Sequence, residues 1–179
     1  MKEIPDGSID MILCDLPYGT TACKWDTLIP FEPLWAHYKR VIKSNGAIVL
    51  FGTEPFSSLL RVGNLGQFKY DVFSAGTTAN CSDRKMPYYP QGVTACSKKR
   101  SGTDYGATGG TFKVPRPSHA PYEQKLTGFP NDLLHFAKDA NKLHPTQKPV
   151  ALLEYLIKTY TNEGETVLDN TMGSGSTGV

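Results

Sequence analysis

Short apolar runs that alternate with helical patterns restrict the fold of this chain more than any other feature. Three runs have the composition and length of buried strands: residues 9–14, 47–51 and 166–168. Two longer segments, 31–44 and 150–161, carry apolar residues at helical spacing, and residues 68–73 alternate like a further strand. Strands that alternate with helices predict an α/β fold with a doubly wound, mostly parallel sheet.

The composition excludes several classes of protein. Hydrophobic residues make up 39% and charged residues 20% of the 179-residue chain, which indicates a globular protein rather than a disordered one. No apolar run approaches about 18 residues and the first residues lack a signal-peptide pattern, so we expect a cytoplasmic protein. The four cysteines lack CxxC spacing, so we expect neither a metal site nor a disulfide framework.

One segment of the chain is distinctly basic. Residues 76–125 hold eight Lys and Arg against three Asp and Glu, whereas the whole chain has a net charge of +2. From about residue 75 to 142, glycine, proline, serine and threonine dominate, and apolar residues keep neither helical nor strand spacing for long. A basic insert on a mildly acidic body indicates contact with a polyanion. On charge alone, a solvated surface loop is the simpler interpretation.

A glycine-containing loop follows the last apolar run, in which Val167-Leu168 is succeeded by Asp169 and then by Gly173-Ser174-Gly175. A strand that ends in an acid before Gly-x-Gly is how doubly wound folds hold ligands that contain adenosine. Turn glycines that bind no ligand are the alternative interpretation.

The segment Asp15-Leu16-Pro17-Tyr18 follows the first apolar run. The exocyclic amine of adenine or cytosine is a poor nucleophile, so its methylation needs acceptors aimed at its hydrogens. Asp15 can supply a carboxylate, the carbonyl near Leu16 or Pro17 a second acceptor, and Tyr18 a ring that stacks on a flipped base. The alternative is a strand-end turn with a buried tyrosine.

Taken with two further segments, these motifs resemble the DNA methyltransferases that methylate N6 of adenine or N4 of cytosine. Asp15-Leu16-Pro17-Tyr18 is similar to D-P-P-Y, residues 51–56 to the segment of the fifth strand, and residues 169–177 to D-P-F-x-G-S-G-T. Residues 144–149 match H-P-T-Q-K-P, which in this family lies beside the methionine end of the cofactor. The order of the motifs resembles the subgroup in which the catalytic motif precedes the cofactor motif.

The resemblance implies a site-specific enzyme, of restriction-modification or phage type, that uses S-adenosylmethionine and acts on double-stranded DNA. The initial Asp, rather than Ser, favours adenine N6, and cytosine N4 stays open as the alternative. The implied catalytic residues are Asp15, Pro17 and Tyr18. The implied cofactor-binding residues are Asp169, Gly173, Gly175, Thr177, Thr146 and Lys148.

The resemblance also implies an organisation of the chain. Residues 1–75 and 142–179 are expected to form the catalytic and cofactor core, and residues 76–141 the basic target-recognition insert. The implied DNA-binding residues are Arg84, Lys85, Lys98, Lys99 and Arg100. A homodimer, and the cytoplasm of a bacterial or phage-infected cell, are compatible with this interpretation.

The chain departs from the family pattern at several points. Leu16 replaces the first proline of D-P-P-Y, and Asn170-Thr171 replaces the Pro-Phe of the cofactor loop. We find neither the family's strand after Phe73 nor the helix and ribose-binding acid after the glycine loop, so the sheet is expected to be incomplete at its C-terminal flank. A truncated, inactive relative that still binds DNA is therefore the alternative. An RNA or protein-glutamine methyltransferase is disfavoured, because those families prefer Asn at the position of Asp15.

Overall fold

The computed structural model divides the chain into two compact units: Met1–Gln91 with Asn131–Val179, and Gly92–Pro130. The described residues are 1–24, 26–74, 77–82, 88–100, 121–130, 133–140 and 147–179. No helix in these ranges is both long enough and apolar enough to span a membrane.

The secondary structure follows the alternating pattern of the sequence. The described strands are β1 Ile9–Cys14, β2 Ile42–Gly52, β3 Phe68–Ser74, β4 Thr77–Ser82, β5 Thr94–Arg100, β6 Tyr122–Thr127, β7 Leu133–Leu134 and β8 Val167–Leu168. The described α-helices are α1 Phe31–Val41, α2 Phe56–Gly63 and α3 Val150–Tyr160, with 3-10 turns at Leu65–Gln67 and Ser176–Gly178.

The larger unit is built on a six-stranded sheet in the order β7-β3-β4-β2-β1-β8. β1 runs parallel to both β2 and β8, and β3 runs parallel to β7. β4 is antiparallel to its neighbours β2 and β3. The predicted α/β fold is confirmed, with one antiparallel strand inside an otherwise parallel sheet.

The region predicted as an insert contributes to this sheet. β4 and β7 both fall within 76–141, yet they pair with β2 and β3. The separate compact unit is the shorter range Gly92–Pro130. We missed β4 because Thr77–Ser82 carries no continuous apolar run. Target recognition by this region stays a prediction.

The core lies on both faces of the sheet. Ile12 and Cys14 of β1 pack in a cluster with side chains of α1 and α2. Met11 and Leu13, which alternate with them, pack in a second cluster with side chains of α3. Since successive side chains of a strand point to opposite faces, β1 is apolar throughout and helices cover it on both sides.

The first helix is shorter than its apolar pattern predicts. It ends at Val41, and Ile42 is already extended with φ −73° and ψ 139°. β2 therefore begins before Gly46, whereas the apolar pattern predicted a helix that continues to residue 44. A Cβ at Gly46 would lie 2.8 Å from the carbonyl oxygen of Asp10. The glycine thus permits the close approach of β2 to β1 rather than a helix end.

The smaller unit contains an antiparallel ribbon of β5 and β6. Lys98 lies opposite Gln124 and Lys99 opposite Glu123, and the register shifts between Ala95 and Lys98. Both lysines are exposed. The ribbon therefore presents a basic, solvated surface.

Candidate active site

The two motif loops meet at one edge of the sheet. Ile12 of β1 pairs with Leu168 of β8, so the residues that follow the two strands emerge side by side. A cleft of about 680 Å³ lies beside Asp15 and Tyr18, within the usual size of ligand sites. A smaller cavity adjoins it and is lined by the glycine loop. The cavities share five wall residues: Asp15, Lys148, Thr171, Met172 and Gly173.

Asp15 is hydrogen-bonded through both carboxylate oxygens. Its Oδ1 accepts a hydrogen bond from the Tyr18 hydroxyl at 2.7 Å, and its Oδ2 accepts one from Lys148 Nζ at 2.5 Å. The side chain of Asp15 is 32% exposed, whereas that of Lys148 is only 16% exposed. These contacts fix the carboxylate at the mouth of the cleft.

Tyr18 is packed as well as hydrogen-bonded. Its ring stacks on Phe56 with a centroid distance of 4.8 Å and an interplanar angle of 28°. Burial raises the pKa of the Tyr18 hydroxyl, and the charge of Asp15 raises it further. The hydroxyl therefore stays protonated at neutral pH and donates to Asp15. Tyr18 also lines the cleft.

Asp26 fixes the loop that forms one wall of the cleft. Its Oδ1 accepts the amide of Gly19 at 2.8 Å, and its Oδ2 accepts the amides of Thr20 and Thr21 at 2.9 and 2.7 Å. The hydrogen bond from Gly19, followed by those from Thr21 and Thr20, lowers the pKa of Asp26 to about 2 despite its burial. The loop after Tyr18 is thus folded around one charged carboxylate.

This arrangement predicts a pH dependence of the loop. Because the folded pKa of Asp26 lies below its ordinary value of 3.8, its stabilising contribution is complete above about pH 4 and is lost as the pH falls toward 2. We expect the amides of Gly19, Thr20 and Thr21 to lose their protection from hydrogen exchange in this window. In Asp26→Asn, the same amides should be weakly protected from exchange, and their protection should not vary between pH 4 and pH 2. If the variant showed the pH dependence of the wild type, the loss of protection could not be assigned to Asp26.

The glycine loop is closed by Asp169. Its Oδ1 accepts the amide of Thr171 at 2.9 Å and its Oδ2 accepts the hydroxyl of Thr177 at 2.6 Å. Gly173 and Gly175 have φ angles of 52° and 81°, which side chains other than glycine rarely adopt. The two glycines let the chain reverse between the residues that Asp169 joins.

Asn170, which stands where the family has proline, ties the loop to the core. Its Oδ1 accepts hydrogen bonds from the Tyr38 hydroxyl at 2.7 Å and from Cys14 Sγ at 3.0 Å. Burial, the largest cause, raises the pKa of the Cys14 thiol to about 12. The thiol is therefore protonated at neutral pH, so it is suited to donating this hydrogen bond and unsuited to nucleophilic attack.

Lys148 lies in the wall between the two cavities. Its ammonium is 5.3 Å from the centroid of Phe51 and 5.8 Å from that of Tyr18. The backbone around it is held by Asp139, whose Oδ2 accepts the side-chain amide of Gln147 and the backbone amide of Val150, each at 3.1 Å. Asp139 thereby caps α3, a role that Pro149 at the helix start cannot fill.

Asp139→Ala is expected to destabilise the protein by about 1 kcal/mol, because the first amide of α3 loses its acceptor. Glu154→Ala on the same helix is the control. Its exposed ion pair with Lys158 should contribute less than about 0.5 kcal/mol. Urea unfolding of the two variants measures the difference, and equal free energies of unfolding would contradict the capping role.

The structure brings most of the predicted site residues together. The cavity walls contain Asp15, Pro17, Tyr18, Lys148, Asp169, Gly173 and Thr177, and Gly175 lies in the same loop. Lys98 and Lys99 lie in the other unit, on β5, where Arg100 is the last residue. Thr146, Arg84 and Lys85 lie outside the described residues.

Sequence reasoning missed four residues that shape the site: Asp26, Tyr38, Asp139 and Asn170. The last was noted only as a departure from the family pattern. Pro149 was the one available signal for Asp139, since a helix that begins after proline needs an acceptor from elsewhere. Nothing in the sequence marked Asp26, whose partners lie five to seven residues away.

Comparison with known proteins decides the family. A family model for N6 and N4 methyltransferases, described as DNA methylase, matches residues 81–179, more than half of the chain. This chain belongs to the DNA methylase family. The family predicted from the motifs is therefore confirmed.

Two curated relatives align with almost the whole of this DNA methylase. Type II methyltransferase M.HpaI of Haemophilus parainfluenzae is 25% identical over 193 residues, which cover 98% of the chain and 61% of the relative. DNA adenine methyltransferase YhdJ of Escherichia coli (strain K12) is 29% identical over 207 residues, which cover 99% of the chain and 69% of the relative. The chain thus spans less than two thirds of the length of the first relative.

Solved structures share the fold of this DNA methylase. The crystal structure of the M1.HpyAVI-SAM complex has a TM-score of 0.55 at 22% identity, covering 95% of this chain and 76% of that one. The PvuII DNA methyltransferase (cytosine-N4-specific) has a TM-score of 0.61 at 14% identity, covering 99% and 72%. At such identities the likeness establishes the fold alone.

Proposed function

We propose that this chain carries the catalytic site of a DNA methyltransferase that transfers a methyl group from S-adenosylmethionine to N6 of adenine in duplex DNA. The observation that carries the proposal is the shared wall at the sheet edge. Asp15 stands on that wall between an open cleft and the cavity of the glycine loop. A methyl donor in one cavity and an amine in the other would therefore meet at this carboxylate.

The residues of the glycine loop fit the charged methionine end of S-adenosylmethionine. Gly173 and Gly175 keep the loop backbone free of side chains. Hydroxyl groups, one ammonium and two carboxylates line the cavity: those of Thr171, Ser174, Ser176, Thr177, Lys148, Asp15 and Asp169. The cofactor, when bound, supplies an electrophilic methyl group. The name of the M1.HpyAVI-SAM complex supports this cofactor for the shared fold.

Asp15 and Tyr18 are proposed to orient the target base. The Asp15 carboxylate accepts a hydrogen bond from the exocyclic amine and so directs the nitrogen lone pair away from the ring. Tyr18, which lines the cleft, offers its ring for stacking on the extruded base. The Pro17 turn aims both groups at the cleft. Cys14 forms no covalent link with the base, because its raised pKa keeps the thiol protonated.

DNA contact is proposed for the β5–β6 ribbon. Lys98 and Lys99 are exposed on it and carry the positive charge that phosphate groups attract. These contacts position the duplex without reading its sequence. Binding that weakens steeply with added salt would support this role.

Adenine is proposed over cytosine because Asp, rather than Ser, begins the catalytic motif. The name of YhdJ, a DNA adenine methyltransferase, agrees with this choice. The alternative, N4 of cytosine, draws support from the PvuII enzyme only at the level of the fold.

The test is to incubate the protein with unmethylated genomic DNA and S-adenosylmethionine that carries a labelled methyl group. The DNA is then digested to nucleosides and analysed by mass spectrometry. We expect label in N6-methyladenine and none in methylated cytosine. Label in N4-methylcytosine would show that the target base is cytosine rather than adenine. Absence of label from the DNA would contradict the methyltransferase assignment for this chain.

A further inference from the structure

We propose that Lys148 exchanges partners during cofactor binding, moving from the Asp15 carboxylate to the carboxylate at the methionine end of S-adenosylmethionine. The exchange rests on the proposed function and deepens it. It makes Lys148 a positioning residue that leaves Asp15 free to accept the target amine only after the cofactor is in place.

The position of Lys148 is the first observation that supports an exchange. Its side chain lines both cavities, and it forms an ion pair with Asp15 at 2.5 Å. The side chain is only 16% exposed. A cation with so little solvent is stable only beside an anion, because desolvation without a partner is costly. Lys148 can therefore leave Asp15 only for another negative group within reach.

The second observation is that the neighbouring acid of the same cavity is already engaged. Both oxygens of Asp169 accept hydrogen bonds within the glycine loop, from Thr171 and Thr177. Asp169 therefore offers Lys148 fewer free lone pairs than the carboxylate of a ligand would. The free carboxylate of an amino-acid group is a ligand anion of the right chemistry.

The third observation concerns which part of Lys148 can move. Asp139 holds the residues on either side through Gln147 and Val150, so the backbone at 148 is fixed. The flexible four-carbon stem can still swing the ammonium from one cavity to the other. The exchange therefore needs a change of rotamer and no displacement of α3.

Competition for one cation couples the two cavities. In this structure, Lys148 donates a hydrogen bond to Oδ2 of Asp15, and Tyr18 donates one to Oδ1. Whatever draws Lys148 away makes Oδ2 available to the amine. By linkage, removing Asp15 must also make Lys148 more available to a carboxylate ligand.

Isothermal titration calorimetry of S-adenosylhomocysteine tests the coupling in wild type, Asp15→Ala, Lys148→Met and the double variant. This ligand keeps the carboxylate and has no sulfonium charge, so Asp15 does not attract its sulfur. We expect Asp15→Ala to bind about fivefold more tightly and Lys148→Met about tenfold more weakly. The double variant should bind like Lys148→Met.

The double variant separates exchange from simple repulsion between Asp15 and the ligand carboxylate. Relief of repulsion would tighten binding even without Lys148, and that result would overturn the exchange. So would unchanged or weaker binding by Asp15→Ala. Asp15→Asn is a second variant that removes the negative charge at this position. Thermal unfolding of every variant verifies that it is folded.

5′-Methylthioadenosine, which lacks the amino-acid end, is the matched control ligand. Exchange predicts that its affinity does not change in any variant, and an equal gain with Asp15→Ala would overturn the proposal. If wild type binds neither ligand, the cofactor assignment fails and the exchange fails with it. If wild type binds S-adenosylhomocysteine but Asp15→Ala gives no tighter binding, the exchange alone is wrong.

Discussion

Asp15→Ala is expected to lower the rate of methyl transfer by about a thousandfold or more. The variant loses the carboxylate acceptor that we propose orients the amine, and effects of this size are usual when one such group is removed. DNA binding should change little, because the exposed lysines proposed to contact DNA on the β5–β6 ribbon remain. Single-turnover transfer of a labelled methyl group, with enzyme in excess over DNA, measures the chemical step.

Two further variants test whether the loss of activity is due to the carboxylate at position 15. Asp15→Asn keeps an acceptor oxygen and should retain more activity than the alanine variant. Glu163→Ala removes an exposed acid that lines neither of the two cavities, and this variant should transfer methyl groups at the wild-type rate. A rate for Asp15→Ala within about tenfold of wild type would show that the chemistry does not depend on this residue.

Leu50→Ala is expected to cost about 3 kcal/mol of unfolding free energy. Leu50 lies in β2 with 1% exposure, packed in the core cluster that includes side chains of α1 and α2. Truncation removes buried apolar surface and leaves a cavity. For a chain of this size the loss corresponds to a decrease in Tm of about 6–12 °C. Differential scanning calorimetry measures it.

Leu59→Ala is the matched control, because it is the same substitution at a leucine that is 51% exposed on α2. Little burial is lost there, so its Tm should lie within about 2 °C of wild type. Similar decreases for the two variants would contradict the placement of the core on this face of β2.

The strands and helices with a strong apolar pattern were predictable, and the others were not. The runs at 9–14 and 47–51 became β1 and the buried part of β2, because continuous apolar segments of that length are stable only when buried. β4 escaped prediction because its pairing with β2 and β3, rather than its composition, makes it a strand. The end of α1 was misjudged because Gly46 has a packing role that sequence does not reveal.

The same division holds for the site. The placement of Asp15, Tyr18 and Asp169 at one edge of the sheet was predictable, because the carboxyl ends of parallel strands meet there. The contacts of Asp26 and Asp139 were not, since both depend on loops that fold back onto the sheet. The partner of Lys148 was also unforeseen, because a motif gives the residue type and not the anion it meets.

The anchor of Asn170 has a consequence for sequence variation among relatives. A proline at this position has no side-chain acceptor, so it would leave the buried hydroxyl of Tyr38 without its partner. An unsatisfied buried hydroxyl costs about 1–3 kcal/mol. We therefore expect positions 38 and 170 to change together, with phenylalanine at 38 accompanying proline at 170. In this chain, two hydrogen bonds to Asn170 provide the stiffness that proline would otherwise give. The identity of residue 38 in α1 therefore influences the glycine loop, although Tyr38 and Asn170 are 132 positions apart in the sequence.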